Sequence, residues 1–363
     1  MSISRYLAFA LPLFGVTYAQ ACTDIKVQAK NGDVVIGRTM EFAIDTKDQL
    51  QRYLQGQTFQ TTNPDGSISM QWQGKYNFVG IYAQDAKDAV FDGVNEHGLA
   101  AEALLFPHYA DYGPKDISGN THQKFVKIND LLVWVLSQYQ TVPEVKKALS
   151  TIRIWAEKEA VLKHQVPELH FVFHDKKGNS IVVEYENNGQ LKVYDNKVNV
   201  MTNSPSYHWH LTNLKNYLHL SPYNQNSITF NGEEIPSISQ GNGFLGLPGD
   251  YTSPSRFVKQ FALLHTAIQP QNTRETIVLS THILNNVDIP KGAMRNKIGN
   301  DTVYGTTLWS VIKDLSHNNL YFRTYDSLGY VKIDLNTLWQ EKNGKPIAVE
   351  SLNSFEHTHR KSF

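Results

Sequence analysis

Polar and apolar positions alternate from residue 22. Thr23, Ile25, Val27 and Ala29 fall on one side of an extended chain, and Asp24, Lys26 and Gln28 on the other. That period of two predicts a strand with unlike faces. Asn31-Gly32 follows, a pair that suits a tight hairpin turn, and Val34-Val35-Ile36 predicts the returning strand. With a two-residue turn, Lys30 faces Asp33 and Cys22 faces Glu41. Arg38 then pairs with Ile25 and points to the opposite face. A one-residue bulge, at Gly37, is what would bring Cys22 and Arg38 to one site.

The same reading continues along the chain. Tyr76 to Ala83, Ala89 to Val94 and Leu99 to Phe106 predict strands, with Asn95-Glu96-His97-Gly98 as a turn. Asp130-Leu-Leu-Val-Trp-Val-Leu-Ser predicts a capped helix, and a second follows Thr141 with Pro143 in its first turn. A meander comes next: Leu169 to His174, Ser180 to Glu186, Gln190 to Asp195 and Val198 to Asn203. After a Gly/Pro-rich loop at Gly241 to Asp250, Arg256 to Ile268 and Arg274 to Leu284 predict helices. Thr307 to Ile312, Leu320 to Tyr325 and Gly329 to Leu335 return to strand. Phe171-Val172-Phe173 and Ile181-Val182-Val183 are apolar on both faces, which implies sheets covered on both sides. Two stacked antiparallel sheets with helices outside satisfy the pattern, as does a plainer α+β fold.

Composition narrows the function classes. The 363 residues carry 34 Lys plus Arg and 34 Asp plus Glu, so no net charge argues for nucleic acid or an anionic membrane. No second long apolar run follows the first, and no low-complexity tract or repeat divides the chain. Residues 1–21 read as a secretory signal: Arg5, an apolar stretch from Tyr6 to Val16, and the small-x-small site Ala19-Gln20-Ala21. The protein is then exported, to the periplasm or outside the cell, and residues 22–363 form one domain.

Cutting after Ala21 makes the one cysteine, Cys22, the first residue. A single cysteine closes no internal disulfide. At the front of a chain its α-amine, of pKa about 7.7–8.0, lies a few bonds from a thiol of about 8.5. One residue then holds nucleophile and general base together, as an N-terminal threonine does.

Several blocks resemble the choloylglycine hydrolase family, which contains conjugated bile salt hydrolases and penicillin V acylases. These are Cys22-Thr23, Gly37-Arg38-Thr39-Met40-Glu41, Asn95-Glu96-His97-Gly98-Leu99-Ala100, Thr202-Asn203-Ser204-Pro205 and Leu211-Thr212-Asn213-Leu214-Lys215-Asn216-Tyr217. Gly246-Leu247-Pro248-Gly249-Asp250, Ser255-Arg256-Phe257-Val258 and Tyr321-Phe322-Arg323-Thr324-Tyr325-Asp326 follow in family order. The resemblance implies a four-layer αββα sandwich of N-terminal-nucleophile type, with no metal or organic cofactor. It implies Cys22 as nucleophile and base, Arg38 as a stabiliser of the thiolate, and Asn203 as a side-chain donor to the oxyanion. Arg256 matches a second site arginine. Glu41 stands where the family has Asp to hold the α-amine, one methylene longer. Leu105 stands where the family often has Asn or Tyr, so a backbone N–H would have to assist Asn203. A homo-oligomer, up to a homotetramer, is implied as well.

The expected activity is hydrolysis of a linear, non-peptide amide in a small-molecule N-acyl substrate. Export tilts the choice toward a penicillin V acylase-like enzyme. A conjugated bile salt hydrolase and an N-acyl homoserine lactone acylase are the alternatives. From other classes, a papain-like peptidase lacks its Cys-Gly-Ser-Cys-Trp signature here. A lipid-anchored binding protein would use Cys22 only as its anchor, a use that Ala19 and Gln20 fit poorly. His208 and His210 flank Trp209 without a third metal ligand.

Overall fold

The first hairpin forms where expected but in a different register. In the computed structural model, β1 (Ala21–Gln28) pairs antiparallel with β2 (Val34–Phe42). The turn holds three residues instead of two: the Ala29 N–H donates to the Asp33 carbonyl at 2.9 Å and the Gly32 N–H to the Ala29 carbonyl at 3.0 Å. Gly32 takes a φ of 96°, the left-handed position that closes a three-residue loop. The extra residue moves every pair by one. Cys22 lies across from Met40, Asp24 from Arg38 and Ile25 from Gly37, while Glu41, expected opposite Cys22, lies opposite Ala21.

Cross-strand partners share a face. Cys22, Asp24, Arg38 and Met40 therefore project together, and the bulge expected at Gly37 is absent. Gly37 has another reason to be there. A Cβ on it would meet Leu284 Cδ1 at 2.8 Å, so its bare Cα lets the helix Thr273–Leu284 lie close on β2.

The described residues are 21–353, without 88, 114, 116–122, 160–164, 299 and 342–344. The leader expected over residues 1–21 lies outside them except for Ala21. One sheet runs Val200–Met201, β1, β2, Asp301–Asp314, Asn319–Thr324 and Val331–Asp334 in spatial order, with Met294–Ile298 paired to the long strand. The other runs Gln190–Asp195, Ser180–Glu186, Leu169–Asp175, Leu99–Leu105, Asp92–Asn95, Phe78–Tyr82, Gln49–Tyr53 and Ile347–Ala348. Every pairing in both sheets is antiparallel.

Five helices matter for the site: α1 (Leu131–Gln138), α2 (Val142–Leu149), α3 (Tyr207–Asn213), α4 (Ser253–Thr266) and α5 (Thr273–Leu284). A capping box starts α2, where the Glu144 carboxylate accepts the Thr141 N–H at 3.0 Å. The outer face of the second sheet, including Phe171, Phe173, Ile181 and Val183, packs on α1 and α2. Val172 and Val182 turn inward onto the first sheet, whose other side carries Phe257 of α4 and Leu284 of α5. This is the expected αββα stack.

The alternation in β1 needs one more correction. Its polar face does not meet water, because every residue from Ala21 to Val27 is buried. Asp24 and Lys26 point into the space between the sheets. The period of two was real; what lay on each side could not be read from it. The strands Gln49–Tyr53, Thr58–Thr62 and Ile68–Gln73 and the parallel pair Lys124–Lys127 with Ile152–Trp155 were also unforeseen.

Candidate active site

Cys22 is the second residue of β1 and lines a pocket; its own exposure is 1%. Its Sγ lies 3.7 Å from Arg38 Nη2 and 3.7 Å from Met40 Sδ. Its backbone nitrogen donates to Asn203 Oδ1 at 2.7 Å. Burial pushes the thiol up from its ordinary pKa; Arg38 pulls it down, Glu41 pushes it up, and burial prevails. Arg38 thus acts in the expected direction without winning outright.

Arg38 is pinned from several sides. Nη1 donates to the Phe91 carbonyl at 3.0 Å and to Asp92 Oδ2 at 2.9 Å, and Nη2 to the Ala103 carbonyl at 2.7 Å. Burial works against its charge, but Cys22, Asp92 and Glu102 outweigh that and hold it protonated.

Asn203 sits just past the strand Val200–Met201, beside β1. Its Oδ1 accepts from Cys22 and also from Arg256 Nη2 at 2.8 Å, and its Nδ2 donates to the Leu105 carbonyl at 2.9 Å. An amide NH₂ carries two hydrogens, so one remains for a further acceptor. The backbone around it is clamped: His170 Nε2 lies 2.9 Å from the Thr202 carbonyl and His210 Nε2 2.8 Å from the Asn203 carbonyl. His210 is therefore a support for Asn203, with no part in a metal pair with the exposed His208.

Arg256 enters from the first turn of α4. Nη1 donates to the Cys22 carbonyl and to Thr23 Oγ1, both at 2.6 Å, and Nε to the Tyr251 carbonyl at 3.1 Å. It ties β1, Asn203 and its own helix together.

Glu41 is the exception among the five expected residues. The register places it on the helix side of the sheet, where Thr307 Oγ1 donates to its Oε1 at 3.1 Å. The nitrogen it was expected to hold is bonded to Asn203 instead. Burial pushes the Glu41 carboxyl up to about 7, against the pull of Arg256. Cys22, Arg38, Asn203 and Arg256 converge; Glu41 acts on them only through its charge.

A pocket of about 130 Å³ opens over the thiol. Cys22, Arg38 and Met40 reach it, and Phe42, Ala83, Val90, Phe91, Leu105 and Phe171 make it mostly apolar. Sequence reasoning missed Asp92, Glu102, His170 and Lys313, all buried around these groups. A signal was present for one of them: Lys313 is a lone cation ending the stretch Leu308 to Ile312, in which Ser310 is the one polar residue.

An αββα stack with a thiol at the head of a central strand, held between two arginines and an asparagine, is the setting of an amide hydrolase. The chain matches the choloylglycine hydrolase family of linear amide C–N hydrolases over residues 22–344, and it belongs to that family. The bile salt hydrolase/transferase of Clostridium perfringens (strain 13 / Type A) is 31% identical over 319 residues, 87% of this chain and 92% of that protein. The penicillin V acylase of Pectobacterium atrosepticum is 29% identical over 204 residues, 54% of this chain and 53% of its own. Among solved structures, a variant of the conjugated bile acid hydrolase from Clostridium perfringens superimposes with a TM-score of 0.74 at 29% identity, covering 87% of this chain and 93% of that one. A penicillin V acylase from Agrobacterium tumefaciens shares the fold, with a TM-score of 0.70 at 23% identity over 90% of each chain. The protein is thus a hydrolase of non-peptide C–N bonds in linear amides.

Proposed function

We propose that the protein is exported, is cut after Ala21, and works as an N-terminal-cysteine acylase that seats an apolar acyl group over Cys22. The observation that carries this is the pairing at Cys22, whose nitrogen is held by Asn203 Oδ1 at 2.7 Å while its sulfur faces the apolar pocket. With Ala21 attached that nitrogen is an amide; once free it is an amine beside the thiol. Sγ attacks the substrate carbonyl as the amine takes its proton. The free hydrogen on Asn203 Nδ2, with a backbone N–H, receives the charge on the tetrahedral oxygen. The ammonium returns its proton to the leaving nitrogen, the C–N bond breaks, and an acyl-thioester remains. Water activated by the same amine releases the acid and restores the thiol.

For the acyl group, a penicillin V acylase-like preference is the first reading, supported by the apolar pocket and the expected export. A conjugated bile salt is the second reading. It is favoured by the 31% identity to the Clostridium perfringens bile salt hydrolase/transferase over 87% of this chain. Rates on penicillin V, glycocholate and a long-chain acyl homoserine lactone, measured side by side, decide the order. Penicillin V is expected to lead, and a dominant glycocholate rate reverses the two readings. The mechanism is tested separately by a protein with one uncut Ala before Cys22. It should fold normally and turn over no substrate; near-normal turnover would show that the base comes from elsewhere.

A further inference from the structure

Behind the thiol lies a set of buried charges that the proposed mechanism does not use. Asp92 and Glu102 sit directly opposite each other on neighbouring strands of the second sheet. Like charges in that position repel, and here both carboxylates point at the first sheet. Two cations from that sheet meet them. Lys313 Nζ lies 2.7 Å from Asp92 Oδ1 and also bonds Glu102 Oε1. Arg38 Nη1 lies 2.9 Å from Asp92 Oδ2, and its Nε 4.0 Å from Glu102 Oε2. All four side chains are at most 2% exposed. Asp92 thus gives one oxygen to each cation, and the fourth corner of the array, Arg38, extends Nη2 to the Cys22 sulfur.

The array sets two acidic side chains against two basic ones, and all four are shut away from bulk water. Any change in one corner is felt at Cys22 through Arg38, whose Nη2 lies 3.7 Å from the sulfur. We infer that Asp92, Glu102 and Lys313 are positioning residues that tune how readily Cys22 forms its thiolate, by setting how much of the Arg38 charge the sulfur feels. The inference rests on Cys22 being the nucleophile.

Other charged groups face the array and frame the test. On β1, Asp24 is pushed up to about 7 by burial and Lys26 is pushed down. His174, 3.0 Å from Asp24 Oδ1, is pushed down to about 3 by burial, so this contact is a hydrogen bond to a neutral ring. Asp175 lies next to it on the same strand. Asp48 acts on Arg38 and Glu41 on Cys22 through their charges, and Arg256 approaches Cys22 from α4. Glu102 itself is pushed up to about 7 by burial against the pull of Lys313.

Because Cys22 is the one cysteine in the chain, its alkylation by iodoacetamide as a function of pH reads thiolate formation without any turnover. Glu102→Gln removes a negative corner and keeps an acceptor for Lys313; the midpoint of the profile should move down. Lys313→Met removes a positive corner; the midpoint should move up. Each shift should be on the order of half a pH unit. The double variant should return near the parent, and Lys313→Arg should stay with it. Shifts in the same direction, or an unmoved midpoint in Glu102→Gln, would reduce the array to a structural tie between sheets. Should Lys313→Met fail to fold, Glu102→Gln and Lys313→Arg still decide. Opposite shifts in a protein that cleaves no amide would sink the acylase reading and leave the array standing. Unmoved midpoints in an active acylase would do the reverse.

Discussion

Along the strand Leu99–Leu105, Leu99, Ala101 and Ala103 pack in the layer of α1 and α2, while Ala100, Glu102 and Leu104 face the other sheet. The outer layer is built from apolar side chains such as Phe173, Ile181, Leu136 and Leu149. The inner layer has apolar ends too, but its middle holds Asp24, Arg38, Asp92, Glu102, His174 and Lys313, each 2% exposed or less. Both sets of side chains are buried. Charge in such a place costs free energy unless it is paired, so the inner layer gives up stability that the outer one supplies. The chemistry sits where the pairing is, and the outer layer holds the sheets around it.

That contrast can be broken from either side, beginning with the largest effect. Cys22→Ser should lower turnover by at least about 10³-fold with the fold intact by circular dichroism, since one buried atom changes and nothing packed on helices moves. Turnover near the parent's would remove the thiol from the mechanism. In the outer layer Leu149→Ala should do the opposite. Leu149 is fully buried and does not line the pocket, so its loss should cost about 2–5 kcal/mol in urea unfolding while the rate per folded molecule holds. A changed rate there would mean that the two layers are coupled.

The smallest effect concerns Glu41. Its carboxyl has a folded pKa of about 7, above its ordinary 4.5. The folded state therefore holds that proton more tightly, and its stabilising contribution is full below pH 4.5 and is lost as pH rises through 7. Glu41→Gln keeps an acceptor for Thr307 and removes the titration. It should flatten the stability profile between these pH values and gain on the order of 2 kcal/mol above pH 7. A slope unchanged by the substitution would show that Asp24 or Glu102 carries it.

Much of the fold was legible because it rests on local rules. The start of α2 after Thr141 with Pro143 in its first turn, the turn at Gly98 and the doubly apolar strands Leu169–Asp175 and Ser180–Glu186 all follow from short stretches of sequence. Cys22, Arg38, Asn203 and Arg256 were found through motif blocks, and they meet in space. The pairing of Cys22 with Glu41 failed through a single residue in a turn. Asn31-Gly32 suits a two-residue loop, yet Gly32 closes a three-residue one, a choice made between alternatives close in energy. Lys313, Glu102 and Asp92 could not be placed, because the partner that makes each burial tolerable is far away in sequence and on the other sheet.

The turn at Lys30 to Gly32 therefore does more than reverse the chain. Surface loops are usually where a chain can gain or lose a residue without harm. Here the same residues closed as a two-residue turn, with Lys30 opposite Asp33, would slide β1 along β2, set Cys22 beside Glu41, and leave Arg38 on the far side of the sheet. The sulfur would exchange a cation for an anion without a single change inside the pocket. Where this bend closes is thus under the same constraint as the identity of the reacting groups, some distance from the place where the reaction happens.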